Sequence, residues 1–219
     1  LIALLNSSVI PAQHGDWPDI FDPKIIRTLN LEMDPADWLT IQSDDSLSIQ
    51  VPATFWIDDE QPILISVRRK SGDPLTADPN FIKVSLKLDI NYLVVGQSWH
   101  GLKKLSIENG DDQDVISEGL AWEIEQRATG TQGYDYLVSQ RSWVQIIING
   151  TNTGVYLNVE QVDKRFFENR NLYTEGETWA YKVSGVGAEE LKVGGPGNSP
   201  TFDELCYLPF DDDTGCDVP

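Results

Sequence analysis

Residues 81–90, FIKVSLKLDI, carry an apolar side chain at every second position. Ile82, Val84, Leu86, Leu88 and Ile90 fall on one side, and Phe81, Lys83, Ser85, Lys87 and Asp89 on the other. A period of two marks an extended strand with one face against a core. The other side then presents the two ammonium groups of Lys83 and Lys87. Such a strand needs partners, and the chain offers several. Residues 25–31 alternate, and 49–57 and 62–69 are strand candidates joined by the acidic turn Asp58-Asp59-Glu60. Residues 143–148 and 155–159 read as a hairpin. Asn149-Gly150 is a turn signal there, with a connection running on to Gly154 that is longer than two residues.

The period changes over 111–127. Asp114 can cap a helix whose apolar stripe is Ile116, Leu120 and Ile124, close to a four-residue spacing and flanked by Glu118 and Glu125. Gly119 weakens that helix by roughly 1 kcal/mol relative to Ala. Asp34-Pro35 opens an earlier helix, and 163–169 reads as a short one. Together these segments predict a sheet-dominated α+β architecture with one central helix.

With 219 residues the chain can bury a core, and 40% apolar with 23% charged residues is a globular composition. A net charge of −19, from 35 acidic and 16 basic residues, repels a phosphate backbone and excludes nucleic acid as a partner. No apolar run is long enough for a membrane-spanning helix. The segment LIALL at 1–5 has neither Met nor a basic flank, so the chain reads as a mature or partial product. LIALL is expected to act as a first strand or as an edge-seeking segment through which copies self-assemble.

Cys206 and Cys216 bracket a loop-like stretch and predict a short-loop disulfide in an oxidising compartment. Sequons at Asn6 and Asn149 agree with an extracellular or cell-surface location. His14 and His100 are too remote from the cysteines for a zinc site. Asp211-Asp212-Asp213 suits weak Ca²⁺ binding or a solvated acidic loop. Seven dispersed tryptophans suit core filling better than a sugar platform. The organisation expected is a leader at 1–24, a lobe at 25–183 and a Gly/Pro-rich extension at 184–219.

One order of segments is more specific than any member of it. VRRK at 67–70 is followed by FIKVSLKL at 81–88, GLKKLSIEN at 101–109 and DVISEGLAWEI at 114–124. Then come VQIIINGTNTGVYLNVEQVDKRF at 144–166 and WAYKV at 179–183. Over about 62–183 this resembles the CotH kinase family of spore-coat and secreted surface proteins. The resemblance implies a kinase-like N-terminal lobe: an antiparallel sheet, one central helix and a β-hairpin.

It also implies nucleotide-binding residues. Lys83 or Lys87, with Lys83 preferred, takes the place of the phosphate lysine, after Arg68 on the preceding strand. Glu118 matches the helix glutamate that pairs with it, although Ser117 stands where the family has an arginine. Asn149, Gly150, Tyr156 and Glu160 match the hairpin that leads to the hinge and lines the nucleotide pocket. The implied picture places the lysines opposite Glu118 across a pocket. The family's catalytic and metal-binding aspartates, in N-x-D and D-x-D motifs, have no match in 1–219. No catalytic residue or metal ligand is therefore assigned, and ATP and Mg²⁺ are expected only with a downstream lobe. The reading is a secreted CotH-like segment, non-catalytic by itself, with a structural, adhesive or assembly role and extracellular protein or glycan partners. The alternatives are the N-terminal part of an active secreted kinase and an extracellular calcium- or glycan-binding module.

Overall fold

The computed structural model describes residues 19–70, 75–78, 81–110, 115–130, 138–174, 181–183 and 205–207. The chain divides into two compact units between Val162 and Asp163. The first unit contains a single 3₁₀ turn at Asp19–Phe21, β1 (Arg27–Glu32), α1 (Pro35–Ser43), β2 (Val51–Ile57) and β3 (Ile63–Arg69). It continues with β4 (Leu75–Asp78), β5 (Phe81–Lys83), β6 (Leu86–Asp89), β7 (Lys104–Glu108), α2 (Val115–Gly130), β8 (Arg141–Ile148) and β9 (Thr151–Val159).

Seven of these strands close into a barrel in the order β1-β2-β3-β6-β7-β9-β8. This corrects the expected kinase-like α+β lobe with an open antiparallel sheet. The strands expected near 25–31, 49–57, 62–69 and 143–148 are present, whereas β7 and the closure were not expected. Neighbours around the ring are antiparallel except at the seam, where β1 runs parallel to β8 with Leu29 opposite Ile146 and Leu31 opposite Ile148. One apolar face per strand serves an open sheet and a barrel equally, and closure removes both exposed edges.

The β8–β9 turn reinforces the seam. Asn149 donates its backbone N–H to the Leu31 carbonyl at 2.9 Å, and its Oδ1 accepts from the Met33 N–H at 2.9 Å. At the other end of β1, the Asp58 carboxylate accepts from the Thr28 N–H and from Arg27 Nη1, both at 2.9 Å.

The interior is filled by side chains from every strand, with Leu29, Phe55, Ile65, Leu86, Leu105, Ile146 and Tyr156 fully buried. Trp99 packs edge-on against Phe55 with ring centroids 5.4 Å apart. The single strand expected over 81–90 is broken at Val84-Ser85. β5 leaves the barrel to pair with β4, and only β6 joins the ring. Asn109 holds the break: its backbone N–H donates to Ser85 Oγ at 3.0 Å, and its Nδ2 donates to the Lys83 carbonyl at 3.0 Å.

The hairpin turn is tighter than expected. Strand pairing resumes at Thr151, so Asn149 and Gly150, both at positive φ (+49° and +77°), form a two-residue turn. The glycine at 154 belongs to a bulge, where the register shifts between Ile146 and Ile147.

α1 starts as read, with Asp34 Oδ1 accepting from the Ala36 N–H at 2.8 Å and Pro35 in the first turn. α2 does not bury its apolar stripe: Ile116, Leu120 and Ile124 are 63%, 54% and 60% exposed. The helix meets β8 and β9 through buried Gly119 instead. A Cβ there would lie 2.4 Å from Trp143 Cζ2, so only glycine permits this approach.

The second unit holds α3 (Lys164–Glu168) and the antiparallel pair β10 (Tyr181–Val183) and β11 (Leu205–Tyr207). Asp163 caps α3, accepting from the N–H groups of Arg165 and Phe166 at 2.8 and 3.2 Å. Residues 1–5, Asn6, Asp114, the Asp211–Asp213 run and Cys216 lie outside the described residues, as does most of the 184–219 extension.

Candidate functional site

Lys83 ends β5 at the point where the chain turns back toward the barrel. Its Nζ donates to the Val155 carbonyl at 2.6 Å and sits 4.2 Å from the centroid of the Tyr156 ring. Burial without a counter-charge pushes its pKa down to about 8. Among the described residues Lys83 makes no ion pair. Tyr156 projects into the barrel, and burial pushes its hydroxyl up to about 12, partly offset by the Thr153 hydroxyl. The face of an aromatic ring is its electron-rich side, so this ring partly compensates the ammonium.

The other basic residues are placed differently. Lys87 lies buried on β6, opposite Arg68 of β3 and Ser106 of β7. Arg68 Nη1 donates to the carbonyls of Leu47 and Arg69, each at 3.2 Å. Arg69 is buried and reaches Asp45 at 3.0 Å. Lys70 forms an ion pair with Glu108, which also accepts from Ser106 Oγ at 3.2 Å.

On α2, Glu118 accepts from Trp122 Nε1 at 3.5 Å. On the same helix Glu123 reaches the barrel, in an ion pair with buried Arg141 and 2.6 Å from Arg127 Nε. These guanidinium groups, Arg127 foremost, hold the Glu123 carboxyl below its usual range. Glu160 is buried and accepts from the Gln140 N–H at 3.0 Å.

The structure thus brings together Lys83 and Tyr156 from the predicted set, and Lys87 and Arg68 as register neighbours. Asn149 and Gly150 serve the barrel seam. Sequence reasoning missed the Glu123–Arg141 and Lys70–Glu108 pairs. The four-residue spacing of Glu123 and Arg127 signals only the ion pair between those two on the helix surface, not the contact with Arg141. Nothing local signalled either of the two pairs.

Among known families, the model described as CotH kinase protein matches residues 77–205, more than half of the chain. The chain belongs to the CotH family. No curated protein matches it. The matched CotH span contains Lys83, Lys87, Glu118 and the β8–β9 hairpin, whereas Arg68 precedes it.

The family's name implies a nucleotide and its metal. Among the described residues Lys83 and Arg68 are cations that rest on neutral partners and could meet a phosphate. The described residues contain no group of three His, Cys, Asp or Glu side chains able to hold a metal. Among the described residues the fit extends to the phosphate, and no metal-holding group stands beside it. No helix among the described residues is long and apolar enough to cross a membrane.

Proposed function

We propose that this CotH-family segment is a secreted component with a structural, assembly role, and that it transfers no phosphate by itself. What supports the reading is how the candidate clamp is used. Phosphoryl transfer needs a phosphate-binding cation oriented by a carboxylate, a held metal and a base at the acceptor. Here Glu123 of α2 neutralises Arg141, while Lys83 rests on a carbonyl and an aromatic ring. The helix and the lysine are both held by scaffold contacts. Incubating the purified chain with Mg²⁺ and γ-labelled ATP tests this. The expected result is no label on the chain or on an added acceptor protein. Labelling that disappears in Lys83→Ala would overturn it.

One observation favours a second reading, the N-terminal part of an active kinase. The partners of Lys83 are both neutral, so its charge remains available to a phosphate. A fluorescent ATP analogue bound by the chain, at least about tenfold more weakly by Lys83→Ala, would support this alternative.

A further inference from the structure

We propose that Lys83 is a covalent capture site for small uncharged aldehydes, which it holds as a protonated imine. The proposal goes beyond the assembly reading and does not depend on it.

The surroundings of this amine set it apart. Lys70, Lys104 and Lys164 each reach a carboxylate, and Lys24 is exposed to water. Lys83 is half-buried, and among the described residues it makes no ion pair. The pairing of β7 with β9 runs from Leu157 to Val159. Lys83 reaches β9 beyond that stretch, at Val155 and Tyr156.

The number of donors is what the site discriminates. An ammonium carries three N–H groups. Here it meets one acceptor, the Val155 carbonyl at 2.6 Å, and the face of the Tyr156 ring, 4.2 Å from Nζ to the centroid. The other two N–H groups have no protein acceptor among the described residues. A protonated imine carries the same positive charge on a nitrogen with a single N–H. It keeps the hydrogen bond and the ring contact and leaves no donor unmatched.

The same partners select the carbonyl class. Acylation would give a neutral amide, with no charge for the ring to hold. Carbon dioxide would give a carbamate anion, set against a carbonyl oxygen and the electron-rich face of the ring. A net charge of −19 disfavours anionic aldehydes, whereas an uncharged one meets no such barrier.

Attack needs the uncharged amine. Burial without a counter-charge lowers the Lys83 pKa to about 8. Roughly a tenth of it is then free base at pH 7, against less than about one part in a thousand for an ordinary lysine. Val155 is 37% exposed, so the amine can be approached from solvent. The nitrogen lone pair adds to the aldehyde carbon, and the aldehyde oxygen takes up two protons and leaves as water. Ammonium and aldehyde thus give protonated imine and water, with nothing oxidised or reduced.

Propanal tests this on the full chain at pH about 7.5. After equilibration the imines are reduced with borohydride and located by peptide mass mapping. The terminal α-amine is the internal standard, because its ordinary pKa of about 7.7–8.0 matches that of Lys83 without the β9 partners. Lys83 should carry at least about tenfold more propyl adduct than the α-amine, Lys24 or Lys103. In guanidinium chloride, where β9 no longer meets Lys83, that excess should vanish. Labelling of Lys83 no greater than that of the α-amine overturns the proposal, since basicity alone would then explain the reaction. An excess that survives unfolding overturns it too, because its cause would lie in the neighbouring sequence and not in the fold. Lys83→Arg, with unchanged circular dichroism, should lose the strongest adduct and keep the rest. A strongest adduct that persists in this variant belongs to another residue and overturns the assignment.

Discussion

Lys83 of β5 lies over the ring of Tyr156 on β9, Nζ 4.2 Å from the centroid, and donates to the carbonyl of the preceding residue, Val155. The contact couples the strand that leaves the barrel to the aromatic side chain that fills it. It gives the ammonium a polar partner and an electron-rich face, while the desolvation cost of its burial remains.

That cost gives Lys83 a pH signature. Its folded pKa is about 8, below the ordinary value of 10.5. Below 8 both states are protonated and the full penalty applies. Between the two values the unfolded chain holds a proton that the folded chain has released, so stability rises with pH across this window. Lys83→Met abolishes that rise. Urea midpoints near neutrality and at the top of the window should show the wild type gaining on the variant. A constant difference would refute the burial account.

Gly119→Ala sets two effects against each other. Alanine favours a helix by about 1 kcal/mol over glycine. A Cβ 2.4 Å from Trp143 Cζ2 forces overpacking, which costs about 1–3 kcal/mol. The clash is expected to win, with a net loss of up to about 2 kcal/mol in chemical denaturation. Adding Trp143→Ala to Gly119→Ala should recover the helix gain relative to Trp143→Ala alone.

The strands expected from the sequence were legible because inside and outside alternate along each of them. Closure was not legible. Its deciding contact sets Leu31 beside Ile148, far apart in sequence, and an apolar face looks the same in an open sheet and a barrel. The orientation of the α2 stripe was not legible for a related reason. Ile116, Leu120 and Ile124 give the right period, but the closest approach needs the smallest residue, and the clue was the glycine in mid-helix. At the candidate site, Lys83 was found from the family pattern. Its aromatic partner lies on a distant strand, and no local spacing connects the two.

The β8–β9 turn carries a seam function beyond its geometry. Gly150 sits at φ +77°, where a Cβ costs about 1–2 kcal/mol. Gly150→Ala should lose about that much. Asn149→Ala forfeits the hydrogen bond to the Met33 N–H and a residue type that tolerates positive φ, for a similar loss. If the turn locks the seam, hydrogen exchange in Asn149→Ala should quicken at amides bridging β1 and β8 before those bridging β2 and β3. Uniform quickening would mean that the turn acts only locally.

The Glu123–Arg141 pair fastens α2 to the barrel, and its two halves are unequal. Arg141 is 5% exposed at its side chain and Glu123 is 35% exposed. Removing the carboxylate charge therefore leaves the buried guanidinium poorly compensated, whereas Glu123 alone could turn to water. Glu123→Gln should destabilise the fold by about 1–3 kcal/mol, the usual cost of a buried polar group losing its partner. The carboxyl is held below its usual range, so its contribution is present above the ordinary carboxylate pKa and is lost as pH falls through the depressed folded value. Acid unfolding of the wild type should thus include a component that Glu123→Gln lacks. Arg127→Ala separates the two partners. Arg127 is 81% exposed at its side chain, so its loss should change stability by at most about 0.5 kcal/mol. An effect of Arg127→Ala as large as that of Glu123→Gln would place the anchoring interaction on the helix surface and not at the helix–barrel contact.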